Sequence, residues 1–265
     1  MMYQASLAAA VAALAMAPGV AAHGHVKSIT VNGGQTYPGA VPNWYYLPAN
    51  QVPATAGWYA LNQDNGFVEP SKFGTSDIAC HKSAKPGSTS IPVKAGDTLK
   101  LQWDTWPESH HGPVIDYLAK VNSFSSATAS SLSFFKIAES GLINGASPPG
   151  TWASDNLIKN GNAWNVKIPS SLPSGSYVLR HEIIGLHSAG SNNGAQNYPQ
   201  CINLQVTGGS GSVPSGTPAT SLYKANDPGI LISIYQSLSS YKIPGPALSG
   251  IRKMARHARD FAVEE

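Results

Sequence analysis

Gly96-Asp97-Thr98-Leu99-Lys100-Leu101-Gln102-Trp103 is the stretch on which the fold reading turns. Leu99, Leu101 and Trp103 alternate with polar residues. One side of the chain is therefore apolar and the other wet, the pattern of a half-buried strand. The stretch runs into Trp106-Pro107-Glu108-Ser109-His110-His111-Gly112-Pro113, a loop rich in turn formers. Strand-like stretches recur on either side. Val26-Lys27-Ser28-Ile29-Thr30-Val31 alternates and stops at Asn32-Gly33-Gly34. Residues 114–121, 134–138, 164–168, 175–184 and 201–206 read as further strands. Short strands, frequent turns and almost no helical periodicity predict an all-β fold, an antiparallel β-sandwich of the immunoglobulin or fibronectin-III type with long loops.

Between the strands lie long irregular stretches. Residues 35–65 carry prolines and Trp44, Tyr45, Tyr46, Trp58 and Tyr59, and read as an ordered loop bearing aromatic rings. Residues 208–218 have the composition of a linker. The chain beyond residue 218 is too short for a second module, so residues 223–246 are expected to pack back on the sandwich. Ile251, Met254, Ala255, Ala258 and Phe261 share one helical face among Arg252, Lys253, Arg256 and Arg259. That end reads as a short basic amphipathic helix or a disordered tail. The expected division is 1–22 leader, 23–248 sandwich domain and 249–265 tail.

Composition excludes several classes of function. Charged residues are 12% of the 265 and the formal net charge is +3, which leaves no footprint for nucleic acid or an anionic membrane. A surface of uncharged polar residues suits a neutral polymer such as a polysaccharide. A glycoside hydrolase would need two carboxyl groups flanking the bond, and among 14 acidic residues no pair stands out near the histidines. Two cysteines, Cys80 and Cys201, read in a secreted chain as one disulfide, with buried free thiols as the alternative. The bridge would close a loop of about 120 residues, worth at most about 4–5 kcal/mol.

The chain begins with an apolar run, residues 5–16, followed by Pro18, Gly19 and the small residues Val20 and Ala22. This reads as a secretory signal cut after Ala22, although residues 1–4 contain no Lys or Arg. The run is shorter than the about 20 residues of a spanning helix, so no membrane span is expected and the protein is expected to be extracellular. The cut makes His23 the first residue of the mature chain. A terminal histidine offers an α-amine and a ring nitrogen to one metal ion. Neighbouring side chains on an extended chain point apart, so one of His110 and His111 suffices as a third nitrogen. Nitrogen-rich tetragonal sites with open positions suit copper. Zinc is the alternative, although catalytic zinc usually takes three side-chain ligands from its scaffold.

Taken in order, the motifs resemble those of the fungal lytic polysaccharide monooxygenases of auxiliary-activity family nine, formerly glycoside hydrolase family sixty-one. His23-Gly24 follows the signal, and Leu101-Gln102-Trp103 through Ser109-His110-His111-Gly112-Pro113-Val114 is similar to the family's second-histidine segment. Residues 134–143, 152–158 and 177–184 are similar to its scaffold strands. Gly194-Ala195-Gln196-Asn197-Tyr198-Pro199-Gln200-Cys201 resembles its axial-tyrosine motif. The resemblance implies one copper per chain, held by His23 through amine and ring and by His110, with Tyr198 on the axis. It implies that His187 and Gln196 hydrogen-bond an axial water or oxygen species, and that Cys80 and Cys201 pair. Ile232-Ser233-Ile234-Tyr235-Gln236 is similar to the segment carrying a flat-surface aromatic. Tyr235 is thus the first substrate contact, and Tyr45 and Tyr46 are further candidates. His25, His111 and His181 read as structural or exposed. Two departures stand out: Asn122-Ser123-Phe124 lies where many members have a further disulfide, and the tail is not a family feature.

The implied activity is oxidative cleavage of a β-1,4-glucan, cellulose first among them, at C1, C4 or both. The implied partners are an external electron donor (a small phenol, ascorbate or a redox enzyme), dioxygen or hydrogen peroxide as co-substrate, and no second subunit. The rivals are a non-catalytic carbohydrate-binding sandwich and a copper-binding protein without activity.

Overall fold

The computed structural model describes residues 24–251. The expectations for the leader, for His23 and for residues 252–265 lie outside the described residues. The alternation at the opening stretch is realised: β1 (Val26–Val31), β2 (Thr36–Pro38), β3 (Ile91–Lys94) and β4 (Thr98–Trp103) lead to β5 (Val114–Val121). β6 (Ser133–Ser140), β7 (Leu142–Asn144), β8 (Thr151–Trp152) and β9 (Ala163–Lys167) come next. β10 (Gly175–Gly185), β11 (Gln196–Thr207) and β12 (Thr217–Pro218) complete the set. One sheet has the order β2-β1-β4-β9, the other β12-β6-β5-β10-β11-β3, and β7 pairs with β8 alone. Every pairing is antiparallel except that of β3 with β11, which is parallel. β3 is a strand that the alternation reading does not reach.

The core follows from parity along the strands. Ile29, Leu99, Leu101, Trp103, Trp164 and Val166 of the first sheet pack with Leu118, Leu179, Ile183, Ile202 and Leu204 of the second. The other face of the larger sheet is also covered. Ile115, Tyr117, Val178, Ile184 and Cys201 pack there against loop residues, among them Trp58, Phe73, Ile78, Tyr223 and Ile234. Residues 223–246 thus pack back on the sandwich, as their length requires. Cys80 and Cys201 form the expected disulfide, with Cα atoms 5.2 Å apart, and join α1 (Asp77–Cys80) to β11. The chain stays docked to its last described residue: Ser249 N–H donates to Lys136 O at 2.9 Å, and Ser171 Oγ donates to Ile251 O at 3.0 Å.

Burial on both faces puts charge inside β10. Arg180 Nη1 and Nη2 meet Glu182 Oε2 and Oε1 at 2.7 and 2.8 Å. The guanidinium also donates to the carbonyls of Ile78 and Ala79, and Glu182 accepts from Tyr223 and Asn197. Buried charges persist only when paired and hydrogen-bonded in this way. Toward the other sheet, Trp103 Nε1–H donates to His181 Nε2 at 3.0 Å. Because an indole can only donate, His181 is unprotonated at Nε2, and its Nδ1–H donates to Asp116 Oδ1 at 2.6 Å. His181 is structural, as expected.

One sequence expectation is corrected. Residues 152–158 resemble scaffold strands in sequence, but α2 (Ala153–Lys159) is a helix. Asp155 sits in its first turn and accepts the Trp152 backbone N–H through Oδ2 at 2.7 Å, which satisfies a donor that a strand would have paired elsewhere. Ala153 and Leu157, four residues apart, turn into the core.

Candidate metal centre

The site gathers where three stretches end side by side. The loop after β4 turns tightly, with His110 N–H donating to Pro107 O at 3.0 Å and Trp106 Nε1–H to His110 O at 3.1 Å. Gly112 lets this loop press on β10, because a Cβ there would stand 1.8 Å from Ile184 O. No other residue fits such an approach. α2 grips the same loop: Ser154 Oγ accepts the Gly112 N–H at 3.0 Å, and Asp155 Oδ1 lies 2.8 Å from His111 Nδ1. His111 is thereby turned to the helix while His110 turns inward, its residue only 8% exposed.

His110 stacks on His187, with ring centroids 3.9 Å apart at 39°. Both rings sit over Gly185, the last residue of β10, whose absent Cβ would lie 3.4 Å from His187 Nδ1 and 3.5 Å from His110 Cδ2. Gly185 pairs with Gln196 at the start of β11, and Ile183 with Tyr198. Tyr198 is 1% exposed and its hydroxyl donates to Gln196 Oε1 at 2.7 Å. Burial, aided by the Asp64 charge, pushes its phenol well above the ordinary value, so the hydroxyl keeps its proton. Trp106 joins the halves, edge-on to Tyr198 at 5.0 Å and to His110 at 6.0 Å.

The first described residues approach the same loop. Gly24 is buried, and a Cβ on it would meet Thr105 O at 2.1 Å and Asp104 Oδ1 at 2.3 Å. His25 N–H donates to Asp104 Oδ1 at 2.8 Å, Asp104 N–H donates back to His25 O at 3.1 Å, and His25 Nδ1 lies 3.1 Å from Asp104 Oδ2. Burial works to raise the Asp104 carboxyl. Hydrogen bonds from the His25 side chain and backbone and from Thr105 N–H outweigh it and hold the group below its ordinary range.

The residues present fit a metal with open positions. Among the described residues, no group of three or more His, Cys, Asp and Glu is placed to hold an ion. Of the described residues, His110 is the one ring that could serve a centre here, and residue 23, which precedes Gly24 in the chain, lies outside them. Ser109 Oγ stands 3.1 Å from His110 Nδ1 and fixes the ring, which directs a metal to Nε2. The buried Tyr198 hydroxyl is a weak neutral donor.

Of the residues singled out from sequence, His110, His187, Gln196 and Tyr198 come together, and Cys80 pairs with Cys201. Tyr235 is 63% exposed. Its segment is tied to the loop after His187 by Ile232 N–H donating to Ala189 O at 2.9 Å. Tyr46 is 70% exposed and edge-on to Tyr45 at 5.8 Å, while Lys85 Nζ lies 4.2 Å above the Tyr45 ring. The sequence reading overlooked Asp104, Asp155 and Gly185. A lone glycine ending a strand is a signal of close approach, whereas nothing in residue type marks either aspartate.

Comparison with known proteins gives a consistent result. The sequence model of Auxiliary Activity family 9 (formerly GH61) matches residues 23–242. The chain is 61% identical over 236 residues to AA9 family lytic polysaccharide monooxygenase F of Malbranchea cinnamomea, covering 89% of this chain and 94% of that one. It is 56% identical over 227 residues to monooxygenase A of Thermoascus aurantiacus, covering 85% and 99%. The extended catalytic domain of H. jecorina LPMO9A (EG4) superposes with a TM-score of 0.82 at 48% identity, covering 88% and 94%.

Proposed function

The chain belongs to Auxiliary Activity family 9, and from that premise we propose how its own residues serve a copper-dependent monooxygenase that cleaves polysaccharide oxidatively. Cellulose is the substrate we assign, at C1, C4 or both. A solved relative of 28% identity is described as a cellulose-active polysaccharide monooxygenase from M. thermophila. The single observation that carries the reading is the cluster of His110, His187, Tyr198 and Gln196 beside the loop that binds Gly24 and His25.

One copper per chain would be held by the His23 amine and ring and by His110, with the Tyr198 hydroxyl close by. When bound, copper supplies the one-electron chemistry through which an external reductant and dioxygen or hydrogen peroxide oxidise a C–H bond of the glucan. The protein's part is placement and protection. Ser109 and the Trp106 indole hold the His110 ring and carbonyl, so one arm is rigid before metal arrives. Burial keeps the Tyr198 phenol protonated, which makes it a weak donor that leaves the other positions to small molecules. Gln196 Oε1 accepts from that hydroxyl, and its amide is the group we assign to orient an oxygen species together with His187. Tyr235 offers an exposed ring to stack on a sugar face, with Tyr45 and Tyr46 as outlying contacts. We assign a cut after Ala22 and a secreted monomer. No helix among the described residues is long and apolar enough to cross a membrane.

The test is a residue added ahead of His23, which removes the free amine from that histidine. Copper affinity is expected to fall by more than the about 10–100-fold that outer partners cost, and His110→Ala is expected to match it. Copper binding indifferent to both changes would contradict the assignment and favour a carbohydrate-binding sandwich.

A further inference from the structure

His23-Gly24-His25 offers a metal two rival ways to bind. One combines the amine and ring of residue 23 with His110. The other is general peptide chemistry. A free α-amine, the amide nitrogens of the second and third residues, and the ring of a histidine in third place form four nitrogens in a plane. Square-planar nitrogen sets suit Cu(II) and Ni(II), and this chelate forms with release of the two amide protons into solvent. A chain that starts at His23 places His25 third. The first mode needs an arm from the fold, whereas the second needs only the tripeptide.

The structure shows what stands at two nitrogens of the second mode. The His25 amide donates to Asp104 Oδ1 at 2.8 Å, and the His25 ring nitrogen Nδ1 lies 3.1 Å from Asp104 Oδ2. A single carboxylate thus faces two of the four atoms the planar chelate requires. Gly24 is wedged on Thr105 O with no room even for a Cβ. Val26 pairs with Trp103 immediately afterwards. Wrapping the tripeptide round an ion would pull the His25 amide off Asp104, turn its ring and lift Gly24 from the loop.

We propose that Asp104 is a positioning residue that reserves the terminal tripeptide for the chelate shared with His110, and that a latent planar Cu(II) or Ni(II) site lies beneath it. The proposal rests on the assignment of His23 and His110 as copper ligands and adds the residue that decides between the two modes.

The experiment uses mature protein with its terminus verified at His23, at one fixed pH, with Cu(II) alone and then Ni(II) alone. Wild type, Asp104→Ala and the double variant Asp104→Ala with His25→Ala are compared by electron paramagnetic resonance and visible absorption. Asp104→Ala is expected to move the Cu(II) visible band to shorter wavelength with a four-nitrogen resonance pattern. It is also expected to bind Ni(II) at least about tenfold more tightly than wild type. The double variant loses both changes, because it lacks the third-position ring. A folded Asp104→Ala with the wild-type copper spectrum and no gain in Ni(II) would overturn the proposal, as would a wild type that already shows the planar spectrum. Should Asp104→Ala fail to fold, Asp104→Asn carries the same test. It keeps one acceptor for the His25 amide, a smaller shift of the same sign is expected, and no shift overturns the proposal. His110→Ala separates the two levels. An unchanged copper spectrum there would overturn the shared chelate and the proposal at their common root, whereas failure in the Asp104 series alone overturns only the role of Asp104.

Discussion

His110 shows how much of a site is decided one side chain at a time. Its neighbour His111 has the same chemistry, yet Asp155 takes His111 and Ser109 with Trp106 takes His110. The alternation of an extended chain is enough to expect one inward and one outward ring, but not to say what would hold each. His81 makes a contrasting case away from the centre. Lys82 N–H donates to its Nδ1 at 2.9 Å, so its Nε2–H donates to Gly66 O at 3.0 Å and the ring is neutral. Burial, the largest cause, lowers its pKa to about 4. The sign comes from linkage: below its ordinary value of about 6.5 the unfolded chain binds a proton that the folded chain refuses. His81 therefore subtracts stability as pH falls from about 6.5 to about 4, up to about 3 kcal/mol in all. The unfolding free energy of wild type should fall relative to His81→Gln across that window and run parallel above it. Parallel curves throughout would show that His81 titrates normally.

Among the elements, β4 was legible because its two faces differ, with Leu99, Leu101 and Trp103 inside and Lys100 outside. β10 was legible as a strand but not as one buried on both sides, since Arg180 and Glu182 look like solvent-facing residues. Their partners Ile78, Ala79, Asn197 and Tyr223 come from distant parts of the chain, and no local pattern announces them. α2 escapes a sequence reading because seven residues show barely two turns of periodicity. Its start is decided by Asp155 reaching back to Trp152 rather than by an apolar stripe. Breaking the buried pair should be costly. Arg180→Met leaves Glu182 charged and short of donors, and should lower stability by about 3–5 kcal/mol in denaturant titrations. A loss under about 1 kcal/mol would mean that the pair contributes as little as an exposed one.

At the scale of the molecule, the sandwich brings the ends of β4, β10 and β11 to one rim, and Gly24 and His25 lie against the loop after β4. His110, Gln196 and Tyr198 were legible as a set because their motifs are long and ordered. Asp104 was not, because its role depends on β1 and β4 lying side by side. The Cys80–Cys201 bridge spans 121 residues and pins the loop-covered face to β11. Replacing both cysteines by serine should cost about 2–5 kcal/mol in thermal or denaturant unfolding. An unchanged stability would place the loops' anchorage in their apolar packing and the Arg180–Glu182 network.

Mass spectrometry of soluble products tests oxidative cleavage most directly, using copper-loaded protein with a verified His23 terminus, amorphous cellulose and ascorbate. The expected result is oxidised oligosaccharides that vanish without reductant, as aldonic acids for attack at C1 or ketone products for attack at C4. Protein shown to hold one copper that releases no oxidised sugar from cellulose or any related β-glucan would contradict it.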